Sequence, residues 1–276
     1  MRKRSASFSA MSEQKRSTPS ANAGVIDAKL RDELQSLCRG QTVLLLGSVG
    51  VGKSSLINSF FSVVGETKAR CSVGTTDKSE TNSLLKYEPE EAPVTFLDTC
   101  GLPKYAGTGQ LLDALLRGTI RVGSNMHDIF EELAPGRDSS KAGSLEKATI
   151  EISSERIPPS VVVIVVNPLI NPPCAFLREL KDAVDRMKAE AGVALDVFVV
   201  ATRKDELDKD DERDEKKKTL KREIKKTELV ESDEKFIFTS NYIREGEKSD
   251  KDGYPIEKQK LLVDAFRVIF RQKTSP

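Results

Sequence analysis

Long apolar runs are missing from this chain. The longest, Val161 to Val166, is strand length and far short of the ~18 residues a membrane span needs, so no transmembrane segment is expected. Cysteine is scarce and scattered. Cys38, Cys71, Cys100 and Cys174 show no C-x-x-C metal or redox spacing, and a chain of 276 residues does not need disulfides to hold a core. They read as reduced thiols in a cytoplasmic protein. Histidine is almost absent: His127 stands alone and reads as a surface or insertion residue rather than a general base. Excess charge is missing too. The formal net charge is +1, which gives no bulk pull toward nucleic acid or an anionic membrane, and no nucleic-acid partner is expected. What remains is 38% hydrophobic and 32% charged residues, enough for a sizeable core under a heavily charged surface.

One stretch organises the rest: Gly47-Ser48-Val49-Gly50-Val51-Gly52-Lys53-Ser54, followed by Ser55. It has the pattern G-x-x-x-x-G-K-[ST] and lies between an apolar run, Val43 to Leu46, and a helical-looking segment, Ser55 to Phe61. Strand, glycine loop and helix are the context that makes this pattern a phosphate-binding loop. Glycines let the backbone pass close to a polyphosphate with its N–H groups turned inward. The helix N-terminus adds partial positive charge. Lys53 is placed to reach the β- and γ-phosphates, and the Ser54 hydroxyl to ligate Mg²⁺. The bland alternative is a glycine-rich turn.

Residues 1–24 are Ser-rich, basic and poor in apolar residues, and read as a disordered tail. A mitochondrial presequence is the competing reading, but the tail lacks an apolar face. Residues 25–276 read as one domain. Ile26, Leu30, Leu34 and Leu37 share a helical face. Strands are expected at 83–87, 94–97, 161–166, 197–200 and 236–238. Leucines 111, 112, 115 and 116 mark a helix. Leu177, Leu180, Val184 and Met187 mark another, with Asn171 as its N-cap and Pro172 opening it. Residues 134–157 read as a polar insertion, and 206–235 as a charged helix or loop in which only Leu220 and Ile224 form an apolar edge. The basic cluster from Lys216 to Lys226 reads as a solvated helix, with a nuclear signal or contact to an anionic surface as the alternatives. Leu261, Leu262, Ala265, Phe266, Ile269 and Phe270 form a last amphipathic helix. Alternating strands and helices predict an α/β fold, a three-layer α/β/α arrangement around a mostly parallel sheet. Ligands of such sheets sit at the carboxyl ends of the strands.

The other polar motifs all fall near strand ends. Asp98 opens D-x-x-G, where a carboxylate can hold Mg²⁺ and Gly101 lets the backbone approach a γ-phosphate. Thr76 lies between the loop and Asp98, where a threonine completes the metal shell only with a γ-phosphate present. Thr75 and Thr81 compete with it. Thr202-Arg203-Lys204-Asp205 occupies the place of [NT]-K-x-D, whose Asp accepts the N1–H and 2-amino of guanine. Adenine lacks that donor pair. Arg203 replaces the usual lysine, with a stem that can pack on the base and a plane that can stack. The shifted frame, Arg203 to Glu206, restores lysine but loses the aspartate. Asn241, after Ser240, is placed to touch guanine O6.

In order, these motifs resemble the five-motif series of the GTPase superfamily, over about residues 41–272. More narrowly, VLLLGSVGVGKSSLINSFFSV, VTFLDTCGLPKYAGTGQ, LLRGTI and FTSNY are similar to the interferon-induced protein 44 family of GTPase-like proteins. Immunity-associated and septin-like GTPases are rivals. The superfamily resemblance implies a P-loop G domain with GTP/GDP and Mg²⁺ as ligands. The narrower one implies a cytoplasmic role in immune or stress response. Lys53 and Thr76 would then be the catalytic residues.

Leu102 stands where such enzymes place a water-orienting glutamine, and Val49 where a glycine usually leaves room for it. Both point to slow hydrolysis, stimulated by a protein effector or a second copy of the chain in a homodimer. The alternatives are a non-hydrolysing nucleotide-binding scaffold and an ATP-using enzyme.

Overall fold

The structure is a computed structural model that describes residues 28–66, 71–72, 81–101, 108–133, 143–150, 155–209, 211–230, 232–240 and 256–271, with the backbone alone for Asp205 and residues 256–259. The sheet has six strands: β1 (Gln41–Leu46), β2 (Leu85–Tyr87), β3 (Val94–Asp98), β4 (Val161–Val166), β5 (Asp196–Ala201) and β6 (Phe236–Phe238). Their spatial order is β2-β3-β1-β4-β5-β6. Only β2 runs antiparallel, at one edge. The chain moves outward from β1 first toward β3 and then, from β4 on, the other way. β1 therefore sits at the topological switch point, and the loop after it opens into the crevice where ligands of such sheets bind.

The apolar pattern of the strands explains the layers. Successive strand side chains point to opposite faces. Leu44 and Leu46 of β1 and Val162, Ile164 and Val166 of β4 join one core. Val43 and Leu45, with Val161, Val163 and Val165, join the other. Every residue of β4 is buried, as expected of a central strand covered on both sides. The first core receives α3 (Gly109–Leu116), α4 (Met126–Leu133), α6 (Cys174–Ala191) and α8 (Arg213–Lys225). The second receives α1 (Ala28–Leu37), α2 (Lys53–Val64) and α9 (Ile256–Phe270). The fold is a three-layer α/β/α sandwich.

Some elements depart from the sequence reading. The second strand starts at Leu85, and Ser83 makes only an isolated bridge to Asn125. Helix α6 begins at Cys174 with Pro173 as its N-cap, not at Pro172 after Asn171. A residue preceding proline is pushed out of the helical region, so the Pro172-Pro173 pair delays the start. The 134–157 stretch is not uniformly polar. It contains the short helix α5 (Ser144–Ala148), Ile120 bridges Thr149, and Ala148 and Ile150 are buried. Helix α4 was not anticipated at all. A short helix α7 (Lys204–Leu207) and α8 fill much of the charged 206–235 stretch, with Leu220 and Ile224 buried as expected. The basic cluster on α8 is compensated locally. Lys218 pairs with Glu215, Lys221 and Lys225 with Asp233, and Arg222 and Lys226 with Glu223. The tail at 1–24 lies outside the described residues.

Helix α9 closes the second core. The Phe60 ring of α2 lies 5.0 Å from Phe96, 4.9 Å from Phe266 and 5.6 Å from Phe270. Arg267 pairs with Glu33 of α1. Phe60→Ala should therefore cost about 3–5 kcal/mol in urea unfolding, as large-to-small changes of buried aromatics do. A loss below about 1 kcal/mol, the size of a surface substitution effect, would contradict the docking of α9 on α2.

Candidate functional site

The loop after β1 is shaped from both ends. Gly52 caps α2 with φ of 96°, a left-handed conformation that glycine adopts without a Cβ penalty. Lys53 is the first residue of that helix, and its side chain folds back under the loop. Its Nζ donates to the carbonyls of Gly47 at 2.9 Å and Ser48 at 3.1 Å. The ammonium is buried, which pulls its pKa down, and the nearby Asp98 carboxylate partly opposes that. Ser48, Val49 and Gly50 lie toward solvent, whereas Val51 is buried.

Ser54 and Asp98 meet beneath the loop. The register β1–β3 sets Leu45 opposite Asp98, so the carboxylate ends its strand beside the loop's root. The Ser54 hydroxyl donates to Asp98 Oδ2 at 2.7 Å. Asp98 is fully buried and its Oδ1 has no hydrogen-bond partner. Burial pushes its pKa up, against the lowering effects of Ser54 and Lys53. A buried carboxylate with one unused oxygen beside a serine hydroxyl fits a hard cation with oxygen ligands. Mg²⁺ usually takes only one or two protein oxygens, completing its shell with phosphates and water. Among the described residues no cluster of three or more His, Cys, Asp or Glu could hold a metal.

Gly101 of D-x-x-G lies directly on the loop. A Cβ there would fall 2.1 Å from Val49 Cγ2 and 2.7 Å from the Val49 nitrogen, so only glycine allows this approach. The Thr99 hydroxyl donates to the Leu45 carbonyl at 2.8 Å and locks the end of β3 to β1.

The T-x-x-D stretch is stitched to the same loop. The buried Thr202 hydroxyl donates to the Val51 carbonyl at 2.6 Å and lies 3.3 Å from that of Val166. Arg203 adopts a left-handed φ of 56°. Its guanidinium donates to the Gly50 carbonyl at 3.4 Å and to Glu206 at 3.2 Å. The Lys204 N–H donates to the Thr239 carbonyl at 3.1 Å, which brings the segment ending at Ser240 alongside. Ser48 to Ser55, Asp98, Gly101, Thr202 and Arg203 thus converge at the carboxyl ends of the parallel strands. Thr76, Leu102, Asn241 and the Asp205 side chain lie outside the described residues or atoms.

Sequence reasoning missed several anchors. Asn58 binds the backbone of Cys71 at two points. Glu179 of α6 accepts from the Thr108 nitrogen at 2.7 Å and hydroxyl at 2.6 Å, holding the start of α3. For Asn58 the available signal was an amide inside an otherwise apolar helical run. His127 is exposed and lies 3.8 Å from Glu131, away from the converging residues. No disulfide joins the four cysteines.

A parallel sheet with a glycine-lysine-serine loop at its switch point, a buried carboxylate on the next parallel strand and a threonine strap to the loop defines a P-loop GTPase domain. Residues 42–237 match the 50S ribosome-binding GTPase family, and the chain belongs to that family. Among solved structures, a dimerization-deficient mutant of Toc33 from Arabidopsis thaliana is 16% identical with a TM-score of 0.48, over 88% of this chain and 91% of that one. No curated protein matches the chain.

The raised pKa of Asp98 has a definite consequence for stability. A carboxyl whose folded pKa exceeds its ordinary 3.8 contributes stability that is present below 3.8 and lost as pH rises through the folded value. In nucleotide-free protein without Mg²⁺, Asp98→Asn should therefore raise the thermal midpoint at pH 7 and leave it nearly unchanged at pH 4. A lower midpoint at pH 7 would show that the ionised carboxylate stabilises the empty fold.

Proposed function

We propose that this domain is a guanine-nucleotide switch that binds GTP and GDP with Mg²⁺ and hydrolyses GTP slowly. The observation that carries the reading is the Ser54–Asp98 pair, 2.7 Å apart beneath the loop, with Asp98 Oδ1 unpartnered. In this reading the N–H groups of Ser48 to Ser55 cradle the phosphates. Lys53 gives up its carbonyl partners to reach the β- and γ-phosphates. Ser54, Asp98 and, in the triphosphate form, Thr76 hold Mg²⁺. Mg²⁺ held there would supply positive charge beside the phosphate oxygens. Gly101 offers its N–H to the γ-phosphate. Thr202 holds the strap in place, Asp205 accepts the two donors of guanine, Arg203 lays its stem on the base, and Asn241 faces O6.

Slow turnover follows from two residues. The Val49 side chain fills the space against Gly101, and Leu102 offers no polar group to orient water. A partner protein or a second copy of the chain would then supply the missing group. The same packing favours a second reading, a scaffold that binds nucleotide without cleaving it. Phosphate release above a Lys53→Ala control separates the two. The narrower likeness to interferon-induced GTPase-like proteins supports a role in immune or stress response. Helices α1 and α9 pack on the same core as α2, which supports residues 25–276 as one unit beyond a tail at 1–24. A cytoplasmic location accords with the lack, among the described residues, of a helix long and apolar enough to cross a membrane.

Denaturing freshly purified protein and identifying the released nucleotide by chromatography should yield GDP or GTP. Lys53→Ala and Ser54→Asn should each weaken Mg²⁺-dependent binding about 100-fold, since hydrogen bonds to charged groups are worth about 1.5–3 kcal/mol. Released ATP, or unchanged affinity in both variants, would overturn the reading.

A further inference from the structure

Helix α8 carries seven basic residues and three acidic ones. Lys218, Lys221, Arg222 and Lys225 of the helix and Lys226 at its cap follow the spacing i, i+3, i+4, i+7, i+8, which puts five cations on one face. The opposite face holds the helix to the core through Leu220 and Ile224. Together with Asp233, the five cations line an open depression of about 570 Å³. Lys221 is the most enclosed of them, with its Nζ 5.8 Å from the centre of the Phe236 ring. Lys218, Arg222 and Lys226 are more than half exposed.

The local carboxylates fall short of these cations. Asp233 is shared by Lys221 at 3.8 Å and Lys225 at 2.7 Å, and Glu223 by Arg222 at 3.4 Å and Lys226 at 2.8 Å, while Glu215 pairs with Lys218 at 3.0 Å. Three paired carboxylates leave two of the five positive charges in excess, on a chain whose formal net charge is only +1. Exposed pairs of this kind contribute little, so an anion that meets several cations at once displaces them. The face exposes no aromatic ring, since Phe236 is buried beneath Lys221, and so offers no platform on which bases could stack. Four to eight Lys/Arg on an amphipathic helix suit anionic lipid headgroups instead. The position fits as well. Helix α8 leads from the carboxyl end of β5 toward the start of β6, where Lys235 pairs with Asp196, the first residue of β5. Its basic half therefore lies toward the amino ends of the strands, away from the phosphate loop.

We propose that this face of α8 binds the clustered phosphates of anionic lipid headgroups and docks the domain on a membrane surface by its flank. The inference is independent of the nucleotide reading. On binding, phosphate oxygens replace Glu223 and Asp233 as partners of the lysines and Arg222, and the nucleotide end of the sheet stays clear of the membrane.

The test is sedimentation of the full chain with phosphatidylcholine vesicles that contain phosphatidylinositol bisphosphate, compared with vesicles in which phosphatidylserine supplies the same surface charge. The parent should bind the former more tightly and come off as salt is raised. Changing Lys218, Arg222 and Lys226 together to Gln should lower the partition constant about 100-fold, or about fivefold for each cation. A control with Lys86, Arg121 and Lys147 changed to Gln loses the same charge from exposed positions on the β2 side of the domain, and should bind nearly as the parent does. Asp233→Asn removes the carboxylate that faces Lys221 and Lys225 and should strengthen binding. The tail at 1–24 is present in every variant, so the differences report on α8, and thermal midpoints report whether each variant is folded. A parent protein that binds neither vesicle, a triple variant that binds like the parent, a loss matched by the control, or equal binding to both vesicles would overturn the proposal. Binding of free inositol hexakisphosphate without binding to vesicles, or capture of a single-stranded RNA in preference to them, would overturn it too.

Discussion

The rest of the site depends on one buried carboxylate. Asp98 ends a strand with no exposure to water, and only one of its oxygens is hydrogen-bonded, to Ser54. Burying a charge is costly unless it is paired or bound to a metal. The Lys53 ammonium favours the Asp98 charge, but it is itself buried and held by carbonyl oxygens. Two opposite charges are thus stored in the interior without a direct ion pair. Such an arrangement favours a ligand that brings both an anion for the lysine and a cation for the aspartate. A magnesium–polyphosphate complex has that composition.

The sheet makes this storage possible. Parallel strands deliver the loop, Asp98 and Thr202 to their carboxyl ends, and the two hydrophobic cores hold the strands in register from both faces. The Thr202 hydroxyl then ties the strap that would select the base to the Val51 carbonyl of the loop that would hold the phosphates. Gly101 rests on the same loop at Val49. The loop therefore meets Gly101 at Val49 and Thr202 two residues on, at Val51. Val49 gives that junction a bulk a glycine would not.

Much of this was legible in the sequence because it rests on local patterns. The glycine loop is recognisable from its spelling between an apolar run and a helix. Val161 to Val166 could only be a buried strand, and Asp98 was conspicuous as an acid ending an apolar run. What escaped depends on contacts between distant residues. The clamp of Asn58 on Cys71 joins a helix to backbone 13 positions on, and an amide in an apolar run does not say which backbone it binds. Glu179 reaches Thr108 across 71 positions. The start of α6 was misplaced because asparagine followed by proline suggests a cap, whereas the second proline moves the start onward. Helix α4 was missed although Met126, Ile129, Phe130 and Leu133 recur at helical spacing, because the MHDIFEEL run is only two turns long and lies just before the polar 134–157 stretch.

In the proposed function a magnesium–guanine nucleotide meets the buried charges of Lys53 and Asp98. The most direct test is a calorimetric titration of nucleotide-stripped protein with GDP and with ADP, each with Mg²⁺ and with chelator. GDP should bind tightly and more weakly once Mg²⁺ is removed, with discrimination against ADP that approaches about 10⁴, as a site built on paired hydrogen bonds can reach. Equal binding of GDP and ADP, or GDP binding indifferent to Mg²⁺, would contradict it.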